Sequence, residues 1–399
     1  MTVAPAAASG VRMPWSEPPL GPDRARGRHT LADVLPSVLA ALGAPDPLRS
    51  AAITFQSSRR AVVVLVDGLG DELLRRRAGH APFLRGALAA PSATTTLTCG
   101  FPSTTATSMG SLGTGELPGV HGMVGFEMLD PERDVVFNGL SWENGPEPRR
   151  WQPLRTVFER AEAAGVAVTR IGPGFFDGSG LTIAALRGGS FRAAQGLAAG
   201  VDAALAACRA ATRSLVYLYW GDLDKIGHVH GASSWQWGDE LEAIDAEIAR
   251  LVASVPPDTA VYLTADHGMV DVPLASRIDL AAEPDLRAGV RHVSGEPRAL
   301  GLHCEPGAAE DAAQAWQERL GSRAIIETLC TATGLGRYGE VSERILPRLP
   351  DLLVLCDPTV AVVNSAMMRP AALALLGLHG SVTADETLIP LFHWPARVA

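Results

Sequence analysis

Six residues in four short clusters carry side chains that bind metal ions: Asp67 in VDGLG, Asp224 and His228 in DKIGH, Asp266 and His267 in TADHGM, and His379 in GLHGS. Carboxylates and imidazoles together are hard-to-borderline donors, suited to zinc, manganese or iron. Six such donors are too many for one tetrahedral ion and the right number for two ions with three protein ligands each. Taken singly, each has an ordinary explanation. An aspartate after a strand commonly caps the next helix, and a lone histidine such as His379 is commonly a surface or packed core residue. Asp266–His267 is the stronger signal, because adjacent side chains diverging from a tight turn reach two ions. The joint occurrence of all four clusters decides for a two-metal centre. A hydroxyl-rich run from Phe101 to Gly115 (FPSTTATSMGSLGTG) lies between the first carboxylate and the others. Such runs ordinarily form loops or helix starts, since hydroxyls compete for backbone hydrogen bonds. Beside a metal, an alcohol is instead an activated nucleophile, and a helix beginning here adds N–H groups for an anionic substrate.

The elements that must position these residues follow from the apolar pattern. Ala61 to Val66 is a continuous, largely β-branched run without alternation, which predicts a strand buried on both faces of a parallel sheet. Asp67 follows it directly, at the carboxyl end where open α/β sheets bind ligands. Ser214 to Trp220 and Ala260 to Thr264 repeat the pattern and run into the Asp224 and Asp266 clusters, and Asp351 to Leu355 reads as a late strand. Helical spacing appears over Thr30 to Gly43, expected on the outside of the core, and over Trp151 to Ala164 and Trp235 to Val255. Alternating strands and helices predict an α/β fold with a mostly parallel central sheet covered on both faces. Residues 295–350 read as a small α+β cap insertion: a strand over Ala299 to Cys304, a helix over Ala308 to Leu320 and a strand over Arg323 to Leu329. The core is therefore expected over 30–294 and 351–399, preceded by a flexible, Ala/Pro/Gly/Arg-rich arm over 1–29.

Composition removes several alternatives. With Lys+Arg 34 against Asp+Glu 43, the net charge of −9 over 399 residues argues against a nucleic-acid polymer or an anionic membrane held by bulk charge. No apolar stretch approaches the roughly 18 residues of a membrane helix, and the first residues lack a signal-peptide layout. Five scattered cysteines without CxxC spacing exclude a disulfide framework or a cysteine-ligated zinc. The expectation is a cytoplasmic protein acting on a small anionic substrate. Lys225, the only lysine, lies inside DKIGH; it is either a phosphate contact or a solvated residue at a helix start.

The order VDG, FPSTT, GTG, HG, DxxGH, ADHGM, HG resembles the alkaline phosphatase superfamily, and within it the type I phosphodiesterase/nucleotide pyrophosphatase family, over about residues 60–290 and 350–392. The resemblance implies a nucleophile at Thr105 of Pro102-Ser103-Thr104-Thr105, with Thr104 the neighbouring competitor. It implies one zinc on Asp67, Asp266 and His267, touching the Thr105 oxygen, and a second on Asp224, His228 and His379. Hydrolysis of phosphodiester or pyrophosphate bonds in nucleotide-like substrates, through a phospho-threonine, would follow. Two departures bear on substrate. Phe126 stands where the family places an asparagine for a phosphate oxygen, leaving Asn138 or backbone N–H groups after Thr105 as substitutes. The arginine and magnesium site used on monoesters by alkaline phosphatase itself are not found. Rival readings are a phosphomonoesterase or phosphonate hydrolase on the same scaffold, or a non-catalytic metal-binding relative.

Overall fold

The computed structural model describes residues 13–16, 29–44, 46, 50–90 and 93–397. Five parallel strands form the heart of a seven-stranded sheet, in the order Ser190–Ala193, Ala167–Gly172, Ser214–Trp220, Arg60–Val66, Thr259–Thr264. Leu388–Trp394 and Thr94–Thr98 complete it as antiparallel strands. The uninterrupted apolar runs behave as buried central strands must: residues 61–66 and 259–264 are buried throughout. The long helix Trp235–Ser254, capped by the Ser234 hydroxyl on Trp237 N, buries Trp237, Leu241, Ile244 and Ile248 in the same core as the strands.

A second sheet has six antiparallel strands in the order Ala324–Thr328, Leu352–Cys356, Ala299–Cys304, Val290–Glu296, Glu127–Asp130, Val135–Asn138. The helix Ala309–Leu320 packs on it through Trp316. The expected insertion over 295–350 holds only part of this sheet. The 290–296 and 352–356 strands reach beyond its borders, and two strands come from 127–138. The expected late strand at 351–355 thus serves the second sheet, because its partners are 299–304 and 324–328.

Three further expectations meet a physical correction. The 30–43 segment splits into a 3₁₀ turn, Leu31–Asp33, and a helix, Val34–Ala41, which lie inside the main core rather than outside it. Trp151 to Ala164 is two helices, Pro148–Trp151 and Val157–Ala163. Pro153 disfavours helical geometry at Gln152, and a capping box of Thr156 with Glu159 restarts the helix. Within the expected arm, Met13 and Trp15 pack against the core and Ser16 bridges Thr383. Residues 1–12 and 17–28 lie outside the described residues.

The two sheets are joined by a buried ion pair. Arg298, in the turn between the 290–296 and 299–304 strands, sends Nε and Nη2 to the Glu386 carboxylate at 2.9 and 2.8 Å. Glu386 also accepts Ser381 N at 3.1 Å and the Thr383 hydroxyl at 2.6 Å. Both side chains of the pair are fully buried, so removing one partner strands the other's charge. Arg298→Ala is therefore expected to lower the unfolding free energy by about 3–5 kcal/mol, read from urea midpoints. Arg298→Met with Glu386→Gln should recover part of that loss, since no unpaired buried charge is left.

Candidate metal centre

The four clusters meet beyond the carboxyl ends of the parallel strands. Asp67 N continues the parallel ladder to Trp220 O at 2.8 Å, and the chain then turns at Gly68. Gly68 has φ +73°, and a Cβ there would stand 2.9 Å from Asp224 Cβ. Only glycine admits both that backbone and that approach. Asp224 and His228 lie one turn apart on the helix Asp222–His230, with Asp224 Oδ2 3.2 Å from His228 Nε2. Asp266 and His267 follow the 259–264 strand, and His379 follows Leu378 on the Gly377–Leu378 strand.

Each imidazole is tied the same way. Nδ1 of His228 lies 2.7 Å from Gly377 O, that of His267 3.0 Å from Gly268 O, and that of His379 2.9 Å from Ser103 O. A carbonyl accepts only, so Nδ1 carries the proton and Nε2 presents a lone pair to the cluster, the outer-shell arrangement of metal-binding histidines. The rings of His267 and His379 stack at 3.7 Å. On the acidic side, Asp67 Oδ1, Asp224 Oδ1 and Asp266 Oδ2 are buried without a hydrogen-bond partner. Lone pairs and orphaned carboxylate oxygens converging in one buried place are donors suited to cations.

Ligand atoms of Asp224, His228 and His379 lie within 4.8 Å of one another, as do those of Asp67, Asp224 and His267. Asp224 thus stands in both sets. Asp266 sits at the edge of the second: its Oδ1 accepts Gly68 N and His267 N, both at 3.1 Å, leaving Oδ2 3.6 Å from His267 Nε2. Crowded like charges show in the acidities. Burial, and then the charges of Asp266 and Asp224, push Asp67 well above the usual carboxylate range. Burial works to lower His228, but the adjacent Asp224 carboxylate pushes it up to about 9, so a proton competes with a cation for the Nε2 lone pair of this ring.

The hydroxyl-rich run is a full helix, Thr105–Thr114, with every residue buried and Thr104 as the extended N-cap residue. Its small residues permit close packing. Ser108 donates to Asp266 O at 2.7 Å and Thr114 to Gly110 O at 2.6 Å, while Thr107 Oγ1 is buried without a partner. Thr105 opens the helix, and its Oγ1 is 3.1 Å from His267 Nε2, at the edge of the cluster.

The remaining candidates separate clearly. Asn138 Oδ1 accepts Leu140 N at 2.9 Å and Ser141 N at 3.0 Å, and the next residue, Gly139, donates its N–H to Phe126 O. A Cβ at Gly139 would lie 3.2 Å from that of Ala106, so this turn lies over the start of the Thr105 helix. Lys225 is not brought to the centre: its side chain is 77% exposed and its ammonium is 3.8 Å from Asp222. His121 is buried, meets the Ser111 hydroxyl at 3.1 Å and is held near a pKa of 3 by burial and two nearby arginines. Two contributors carry no motif in the sequence. Tyr219 donates its hydroxyl to Asp67 Oδ2 at 2.5 Å, placed by the pairing of Leu65 with Tyr219 in adjacent strands. Glu296, from the second sheet, sits beside His379.

Comparison with known families supplies the identity. A family model described as type I phosphodiesterase / nucleotide pyrophosphatase matches residues 61–382. The chain belongs to this family. It is accordingly a hydrolase of phosphoric ester bonds, in the alkaline phosphatase superfamily. Comparison with curated proteins finds no match. Among solved structures, murine ectonucleotide pyrophosphatase/phosphodiesterase 5 is similar with a TM-score of 0.64 at 18% identity, covering 83% of this chain and 87% of that one. Its inactive threonine-to-alanine variant in complex with AMP gives 0.63 at 18% identity, over 84% and 87%. Phosphonoacetate hydrolase from Sinorhizobium meliloti 1021, in complex with phosphonoacetate, gives 0.64 at 17% identity, over 86% and 91%. At these identities the likeness is one of fold. No helix among the described residues is long and apolar enough to cross a membrane.

Since Asp224 stands in both sets, Asp224→Ala is expected to lose more bound divalent metal than His228→Ala, measured by elemental analysis after dialysis. Lys225→Ala should keep its metal content, and its turnover within about twofold of the native protein, as an exposed and weakly paired charge.

Proposed function

We propose that this family member is a two-metal hydrolase of phosphodiester or pyrophosphate bonds that works through a phospho-threonine on Thr105. The convergence of three Nε2 lone pairs and three orphaned carboxylate oxygens beside the Thr105 hydroxyl carries this reading. Two divalent ions, zinc foremost and manganese or iron as alternatives, would be held by Asp67, Asp266 and His267 and by Asp224, His228 and His379. When bound they supply positive charge that activates a hydroxyl and offsets charge on a transferring phosphoryl group.

The chain's own residues do the rest. Thr105 Oγ1 gives up its proton to solvent and forms a bond to phosphorus, while the leaving oxygen departs with the bonding pair and takes up a proton; water then adds to phosphorus, the Thr105–phosphorus bond breaks, and Thr105 Oγ1 regains a proton as the phosphate is released. Thr105 heads a ten-residue helix whose first-turn N–H groups have no partners within the helix and favour an anion there. Tyr219 fixes the orientation of Asp67. With Phe126 in place of the family's asparagine, Asn138 is the side chain assigned to a phosphate oxygen: its Oδ1 is occupied by two backbone N–H groups, which leaves its NH₂ as a donor. An aromatic row leads outward from Asp67. The Tyr219 and Phe176 rings lie 5.3 Å apart, Phe176 and Phe175 4.5 Å apart, and Phe175 is largely exposed. Such a row suits a planar substituent on the substrate, which favours nucleotide-like esters. The AMP complex of the murine relative supports the same class. The likeness to phosphonoacetate hydrolase supports phosphonate hydrolysis as the second reading. Five free cysteines accord with a cytoplasmic location.

The test compares kcat/KM of the zinc-loaded protein on bis(p-nitrophenyl) phosphate, p-nitrophenyl phosphate and phosphonoacetate. The diester should be preferred, and preference for phosphonoacetate would establish the second reading. Thr105→Ala should lower turnover of the diester by at least about a thousandfold with native metal content and an unchanged circular dichroism spectrum. Undiminished turnover would remove Thr105 from the nucleophile's role.

A further inference from the structure

The turn joining the 290–296 and 299–304 strands reaches into the metal-bearing segment with two charged side chains, and they go to different places. Arg298 closes on Glu386. Glu296 instead lies along Gly380 and His379: its Oε2 is 3.4 Å from His379 Nδ1, and a Cβ on Gly380 would stand 2.5 Å from Glu296 Cγ. Gly380 also has φ +126°, so both its conformation and the passage of the glutamate stem require glycine.

Packing does not account for a carboxyl group in this position. Glu296 is 8% exposed, its Oε1 is buried without a hydrogen-bond partner, and its carboxyl group neighbours the His379 ring and the Thr104 hydroxyl. A buried, partly unsatisfied carboxyl costs stability where it stands. What it does have is geometry toward a ligand. His379 Nδ1–H faces two acceptors, the Ser103 carbonyl at 2.9 Å and the Glu296 carboxyl at 3.4 Å. A ring flip would break both contacts, so Nε2 is kept toward Asp224, whose Oδ1 lies 4.0 Å away. Ser103 is two residues before Thr105, so the ring is held between the nucleophile's own loop and the second sheet.

We propose that Glu296 is a positioning residue for His379, holding its ring so that Nε2 is presented to the ion shared with Asp224 and His228. The inference rests on the two-metal reading above, and it gives the second sheet a part in the metal centre. Beside His379 its carboxyl group also meets the Thr104 hydroxyl, and the part proposed for it in the metal centre runs through His379.

The test is a zinc titration of the full-length apo-protein against a chromophoric chelator, for the native chain, Glu296→Gln and His379→Ala, with thermal unfolding of each apo-protein. Glu296→Gln keeps the shape and removes the buried carboxyl, so its apo-protein should melt at or above the native temperature. Its affinity at one zinc site should fall about 10–100-fold, the other site should keep its native value, and His379→Ala should lose the affected site. Glu296→Met, which removes both oxygens and keeps the stem, gives the same readout should the glutamine variant fold poorly. Native zinc affinities in Glu296→Gln, with a site lost in His379→Ala, overturn the role of Glu296 and leave the metal reading standing. A His379→Ala protein that binds both ions with native affinity overturns both. Loss at both sites together with a lowered apo melting temperature marks a structural residue and overturns the proposal.

Discussion

Asp67, Asp224 and Asp266 are held in one buried cluster, where like charges repel in a medium that screens them poorly. The surrounding structure is arranged around this repulsion. Gly68 lets Asp224 approach Asp67, the backbone of Gly68 and His267 satisfies one Asp266 oxygen, and Tyr219 satisfies one Asp67 oxygen. The oxygens left over lie 3.4 to 4.0 Å from the Nε2 atoms of His267 and His379. Anchoring such a cluster takes rigid elements, and the all-buried central strands provide them: a strand paired on both sides and packed on both faces leaves little freedom at the residue that follows it.

The second sheet is coupled to the same place. Its 296–298 turn carries both the Arg298–Glu386 pair and Glu296, so the segment from His379 to Glu386 is gripped at its two ends. The segment bears a proposed ligand from the far end of the chain; no parallel pairing fixes it, and its one helix, Ala384–Thr387, is a single short turn at the Glu386 end. A tertiary clamp does that work, with Ser381 N and the Thr383 hydroxyl converging on Glu386. Two fully buried ionic groups hold it at the cost of their desolvation, which is tolerable only because Arg298 and Glu386 satisfy one another.

Much of the architecture was legible along the chain because its signals are local. Uninterrupted β-branched runs mark strands covered on both faces, and the strand borders at 60–66, 214–220 and 259–264 lie within a residue of the apolar runs. Where reading failed, tertiary context was the cause. Leu352–Cys356 has the composition of a central strand but pairs in the second sheet. The 31–41 segment is buried because other elements close over it. Lys225, inside the DKIGH motif, faces solvent because the helix turns Asp224 and His228 inward and puts the residue between them outside.

The sequence by itself determined the donor set. Residue types and their order across four clusters offer donors suited to hard-to-borderline cations beside a hydroxyl-rich run, in a chain whose family model spans residues 61–382. It also determined the strands that end at those donors. The tertiary structure alone decided which oxygens and nitrogens face the centre, that Asp224 stands between both sets, and that Tyr219 and Glu296 attend it. The physical reason is range: strand and helix signals act over a few residues, whereas Asp67 meets Tyr219 and His379 meets Glu296 only through sheet register and a turn from a distant sheet. No local pattern encodes contacts of that kind.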